Sequence, residues 1–187
     1  LADVSYTETD DEEKLATGIA GVDKLLSGGL PFGLMHILTG KRGEGKSTFG
    51  SMLLKQALEA GHNCFVYSGE MRKQDVRRWL DYQIAGRRIV IAEHRDVGDY
   101  DVFRLSRPNI ETIGNWYRDQ AYLFDTSVIT EQQTNLLDII EIYIKQFGCR
   151  FVLIDNLMTA IDIMDIRGEK FERQELLCKA LARMAQK

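Results

Sequence analysis

Residues 40–47 read Gly40-Lys41-Arg42-Gly43-Glu44-Gly45-Lys46-Ser47, the uninterrupted pattern G-x-x-x-x-G-K-S. Each residue type in it has a task in holding a chain of phosphates. The glycines permit backbone angles that turn successive N–H groups inward to make an anion nest. A helix opening near Gly45 would direct its positive dipole end at the same point. Lys46 supplies a mobile cation for the outer phosphates, and the Ser47 hydroxyl is a ligand for Mg²⁺. With Thr48 beside them, residues 40–48 form the expected ATP-binding set, and Lys46 acts directly on the reacting end. A flexible glycine turn would leave the Lys-Ser pair unexplained. Two carboxylates complete the constellation. Asp155 ends the apolar run Phe151-Val152-Leu153-Ile154 and is expected on the Mg²⁺ side, with Ser47, acting through a bound water. Glu70, in Ser68-Gly69-Glu70-Met71, is the expected base that orients the attacking water. The plainer roles for these acids are a helix cap after a strand for Asp155 and a dipole partner at a helix start for Glu70.

Those side chains need elements to hold them. Residues 34–39 (LMHILT) form a compact apolar run and predict a buried strand before the glycine loop. Phe49, Met52, Leu53 and Ala57 then recur at helical spacing up to the stop at Gly61. Residues 63–68 predict a second strand. Val76, Trp79, Leu80 and Ile84 mark a helix ended by Gly86. Residues 87–108 are the least regular, with a strand over 88–92 and an exposed loop after it. A helix over 110–120, a strand over 121–125, a helix through Leu136, Ile140, Tyr143, Ile144 and Phe147, and a strand over 150–155 follow. An exposed segment 162–172 leads to a last helix through Leu176, Leu177, Ala180, Leu181 and Met184. Strands alternating with helices predict a mainly parallel sheet covered on both faces. Ligands of such sheets sit at the carboxyl ends of the strands, which is where the glycine loop, Glu70 and Asp155 fall.

The chain has 187 residues, 44% hydrophobic and 28% charged, enough for one domain with a real core. No apolar run approaches the roughly 18 residues of a membrane span, and the first residues lack a signal-peptide pattern. A cytoplasmic protein without a membrane partner is expected. Cys64, Cys149 and Cys178 are odd in number and lack C-x-x-C spacing, so they read as small core residues rather than disulfides or zinc ligands. His36, His62 and His94 do not cluster, and His36, within the predicted strand, reads as a core residue. The net charge of −4 is uneven: residues 1–14 hold six acids and one base, leaving 23 bases and 22 acids. Residues 1–14 therefore read as an acidic leader or linker, and 15–187 as the domain. Arg72, Lys73, Arg77, Arg78, Arg87 and Arg88 flank one helix and read as a solvated face. Arg167, Lys170 and Arg173 follow the Asp155 strand and are the candidate nucleic-acid contacts.

At these residues the chain resembles a RecA-type P-loop ATPase, and more narrowly the replicative helicases: DnaB, the phage primase-helicases and Twinkle. The lead-in Thr17-Gly18-Ile19-Ala20-Gly21-Val22-Asp23-Lys24-Leu25-Leu26 resembles T-G-x-x-x-L-D-x-L-L. Ser68-Gly69-Glu70-Met71 resembles the S-x-E-M segment of the helicases, and Ile154-Asp155-Asn156-Leu157 the I-D-N-L of Twinkle-like members. The resemblance implies a three-layer RecA-like α/β fold and a motor that couples ATP hydrolysis to translocation on single-stranded DNA. It also implies a ring, expected to be a hexamer, with ATP at subunit interfaces and a primase domain fused or separate. Gly69 departs from the pattern, which has a bulkier residue there. The chain stops at Lys187, before the sensor residue and arginine finger of that family, so an incomplete sheet and weak activity are expected. The lead-in is matched equally well by RecA- and KaiC-type ATPases of recombination or regulation, although KaiC-like proteins tend to carry paired glutamates where Glu70 stands alone. A nucleotide-gated assembly module without unwinding is the third expectation.

Overall fold

Alternation along one strand builds the whole molecule. In β3 (Asn63–Ser68), Cys64 and Val66 face one side and Phe65 and Tyr67 the other, and all four are buried. A strand apolar on both faces needs a layer on each side. The computed structural model describes residues 13–124, 135–162 and 169–186, and it shows that three-layer α/β arrangement. β3 is the middle strand, hydrogen-bonded in parallel to β6 (Ala121–Leu123) and to β7 (Cys149–Asp155). The register sets Cys64 opposite Ala121 and Ser68 opposite Asp155.

One layer holds α2 (Lys46–Glu59), α3 (Lys73–Ile89) and α4 (Arg107–Tyr117). Leu54, Ala57 and Leu58 of α2, Leu80 of α3 and Ile113 of α4 close over Cys64 and Val66. The other layer holds α5 (Leu136–Phe147), α6 (Leu157–Asp162) and α7 (Lys170–Ala185). Leu136, Ile139 and Ile140 of α5, Ala160 and Ile161 of α6 and Leu177 of α7 pack on Phe65 and Tyr67. The helix α5 stops because Gly148 adopts φ 63°, the left-handed cap that glycine takes without steric cost. Cys64 and Cys149 are buried core residues, and burial pushes the Cys149 thiol up to about 11. No helix among the described residues is long and apolar enough to cross a membrane.

The lead-in is a clasp. Thr17, fully buried, donates from its N–H and its hydroxyl to the Asp23 carboxylate, both at 2.7 Å. These bonds hold the Asp23 carboxyl below its ordinary range and fasten α1 (Ala20–Leu25). A small antiparallel pair, β1 (Lys14–Leu15) with β2 (Leu30–Pro31), lies beside it. Glu13, within the stretch expected as a leader, makes a two-pronged ion pair of 2.7 Å with Arg150 of β7, whose guanidinium sits over the Phe32 ring.

Several expectations change. Residues 34–39 form no strand, and Leu34, Ile37 and Leu38 are more than half exposed. A strand is fixed by its ladder, and no strand lies beside this segment among the described residues, where β7 is the edge of the sheet. His36 is consequently exposed rather than a core residue, its ring nitrogen 3.0 Å from the Pro31 carbonyl. The irregular stretch is a hairpin, β4 (Ile91–Arg95) with β5 (Tyr100–Arg104), turning through Gly98 and Asp99 at positive φ. Gly86, at φ 60°, breaks α3 as expected, and a short helical turn follows across the kink to Ile89. The helix α4 begins at Arg107, because the Ser106 hydroxyl caps it from Asn109 N–H and Pro108 suits the first turn.

Candidate nucleotide site

The glycine loop has the backbone its motif demands. Gly43 and Gly45 stand at φ 85° and 84°, the left-handed region that L-residues avoid, and α2 starts at Lys46 with Gly45 as its cap. The loop already grips an anion: the Glu44 carboxylate accepts the Lys41 N–H at 2.7 Å. That carboxylate stands where a phosphate oxygen would take the same donor. The Lys46 ammonium folds over the loop and donates to the carbonyls of Gly40 and Lys41 at 2.8 and 2.7 Å. An ammonium held only by neutral carbonyls is ready to exchange them for phosphate oxygens, a charge-assisted bond. A Cβ at Gly40 would lie 2.8 Å from the Glu44 carboxylate, which would have to swing aside. Lys41, Arg42, Gly43, Glu44 and Thr48 are exposed, and Ser47 is half-buried in the first turn of α2.

The strand ends bring the second half. The Gly69 N–H donates to the Asp155 carbonyl at 2.8 Å, so the ends of β3 and β7 are stitched together where they carry Glu70 and Asp155. Immediately past Asp155, the Asn156 side-chain amide donates to one oxygen of Glu70. Asn156 is itself fixed, since its side-chain oxygen accepts the Thr159 N–H at 3.0 Å and its carbonyl accepts the Thr159 hydroxyl at 3.0 Å. One Glu70 oxygen is thereby oriented. The loop side and the strand side meet through α2 and β7. Gly50, one turn after Ser47, packs so closely on Leu153 that a Cβ would lie 3.2 Å from it. Ser47 and Asp155 thus sit on elements in direct contact, at the carboxyl end of the sheet.

Gly69 has a packing reason for its departure from the helicase pattern. A Cβ there would fall 2.0 Å from the Thr159 hydroxyl oxygen and 2.8 Å from the Tyr67 hydroxyl oxygen. A second glutamate at this position is excluded by the same contact. The sequence gives Asn156 no role toward Glu70; its signals are its place directly after the strand-end carboxylate and its part in the Ile154–Leu157 segment.

Of the nucleic-acid candidates, the side chain of Arg173 alone lies among the described ones. Arg173, in α7, donates to the Ile161 carbonyl at 2.5 Å and so ties α7 to α6. Lys170 opens α7, and Arg167 lies outside the described residues.

Comparison with known proteins agrees with this geometry. The family profile described as ATPase: KaiC matches residues 15–186. A stretch of 56 residues, 30% of the chain, is 45% identical to the circadian clock protein KaiC3 of Synechocystis, and it spans 11% of that relative's length. The fold is similar to the crystal structure of a KaiC-like protein from the hyperthermophilic archaeon Pyrococcus horikoshii, with a TM-score of 0.62 and 21% identity over 94% of this chain and 67% of that one. The lone glutamate after Gly69, taken from the sequence as favouring the helicases over KaiC-like proteins, is outweighed by a match over nearly the whole length, and the chain belongs to the KaiC family of ATPases.

Proposed function

We propose that this protein binds Mg-ATP at the loop 40–48 and hydrolyses it, with Glu70 as the base, as a KaiC-type ATPase of recombination or regulation rather than as an unwinding motor. The observation that carries the reading is the Asn156–Glu70 bond at the carboxyl end of the sheet, together with a loop whose Lys41 N–H already holds a carboxylate. Ser47 and Asp155 are the residues to hold Mg²⁺, which when bound neutralises the developing charge on the phosphates. Lys46 leaves the Gly40 and Lys41 carbonyls for the outer phosphates. Glu70, steadied on one oxygen by Asn156, takes the proton of the attacking water on the other. The test is ATP binding and turnover in Lys46→Ala and Glu70→Gln. Binding lost in the first, and turnover lost with binding kept in the second, is expected; unaltered turnover in Glu70→Gln would remove the base from Glu70.

The motor reading, with single-stranded DNA threaded by a cytoplasmic hexamer and a primase alongside, is the second proposal. It needs cations free to track phosphates, and the side chain of Arg173 is engaged with α6 instead. Self-assembly stays part of the leading proposal. The loop 40–45 is exposed along its length, and a second copy covering it would enclose the nucleotide.

A further inference from the structure

The geometry points to a second oxyanion site, sharing no residue with the glycine loop, in the cleft between α3 and α4, suited to the phosphate group of a small molecule. The cleft encloses about 520 Å³ and is lined by Lys73 and Arg77 from α3, Glu111, Asn115 and Arg118 from α4, and Leu123 of β6 at its floor. That size is within the roughly 300–1,000 Å³ of small-molecule sites. Leu123 is the last residue of β6, so the cleft reaches the carboxyl end of that strand, where parallel sheets receive ligands.

Two arginines in this cleft are held in place by their own surroundings. The Nε of Arg77 lies 3.7 Å from a carboxylate oxygen of Asp81, itself 5% exposed and bound at its other oxygen by the Tyr117 hydroxyl at 2.6 Å. Asp81 thus places a buried carboxylate beside Arg77, which lines the cleft. Gly114 sits in the middle of α4, where glycine weakens a helix. A Cβ there would lie 3.0 Å from the Arg77 guanidinium, so the glycine keeps the seat open. Across the cleft the Arg118 guanidinium is oriented by the Asn115 side-chain oxygen at 2.5 Å. Glu111, the one carboxylate in the lining, is paired with Arg107 at 3.2 Å. Three cations therefore line one depression, and its single lining carboxylate, Glu111, is already engaged by Arg107. Guanidinium forks match the oxygens of phosphate. A nucleic-acid strand would call for cations strung along an extended track, whereas these line one cleft of about 520 Å³. A smaller hollow continues from Lys73 and Leu123 to Ser68, Met71 and Arg72, the segment that carries Glu70. An occupant is thus placed to influence the strand end that holds the base.

The test is calorimetric titration of pyrophosphate into protein carrying Lys46→Ala, which removes the glycine loop as a competitor. Saturable binding is expected to persist there and to weaken at least tenfold when Lys73→Gln and Arg118→Gln are added, and likewise when Arg77→Gln is added. Lys73 and Arg118 are exposed, so their variants fold even if Arg77→Gln does not. Inorganic phosphate and adenosine monophosphate, titrated alongside, separate a free phosphate from a phosphate ester, and either one competing supports the site. No saturable binding in Lys46→Ala protein would overturn it. So would binding untouched by Lys73→Gln with Arg118→Gln, or malonate binding as tightly as pyrophosphate.

Discussion

In the proposed reaction Lys46, Glu70 and Asn156 divide the chemistry, and each predicts a separate loss. Removing the Lys46 ammonium takes away a charge-assisted bond to phosphate, so Lys46→Ala should weaken ATP binding by about two orders of magnitude in a fluorescent-nucleotide titration. Glu70→Gln should keep that affinity and lower turnover by about 10²–10⁴-fold, the usual contribution of a positioned base. Asn156 acts through Glu70, and a hydrogen bond to a charged group contributes about 1.5–3 kcal/mol. Asn156→Ala should therefore reduce kcat by roughly 10–100-fold with the KM for ATP little changed; a change in KM alone would show that Asn156 serves binding. The loop residues were legible in the sequence because their spacing is set by the phosphate chain, which is a local matter. Asn156 was not, because its bond to Glu70 joins two strand ends far apart in sequence, and only the register of β3 and β7 brings them together.

Elements hold these groups through a few close contacts. The Gly69 seat admits no side chain, since Thr159 of α6 occupies the space a Cβ would need. Gly69→Ala should cost about 1–3 kcal/mol by overpacking and should also slow turnover, because Thr159 fixes Asn156. An unchanged melting temperature would contradict this. The α3–α4 contact makes a pH prediction. Burial raises the Asp81 carboxyl, while the Tyr117 hydroxyl and Arg77 lower it. With its folded pKa above the unfolded one, Asp81 holds its proton more tightly in the folded state. Its contribution is therefore most favourable in acid and is lost as pH rises through the raised value. Tyr117→Phe deletes a bond that stabilises the carboxylate, so it should cost about 1–3 kcal/mol near neutrality and less near pH ~4. Urea unfolding at the two pH values checks this, and an equal loss at both would refute it. Helices and strands with internal punctuation, such as α5 with Gly148 or β3 with its double-faced apolar run, were legible because their causes are local. Residues 34–39 misled for the opposite reason: an apolar run becomes a strand only beside a partner.

At the scale of the molecule, the sheet β6-β3-β7 carries Asp155 and Glu70, the proposed Mg²⁺-side acid and base, at one end. The clasp of Thr17 on Asp23 and the Glu13–Arg150 pair fasten the lead-in to the outside of that frame. The family was only partly legible. The lead-in and the loop are common to RecA-like ATPases, and the feature taken as discriminating, a glutamate without a second one before it, is explained by the contact of Gly69 with Thr159. If a second copy covers the exposed loop, light scattering should show a larger mass with Mg-ATP than without, and a mass independent of nucleotide would argue against it. The most direct measurement of the central claim is ATP turnover by this protein and its Glu70→Gln variant, each with and without single-stranded DNA. The account predicts Mg²⁺-dependent turnover that the variant loses and that DNA leaves unchanged. Turnover retained in the variant would contradict the assignment of Glu70, and strong stimulation by DNA would replace the regulatory ATPase with the motor.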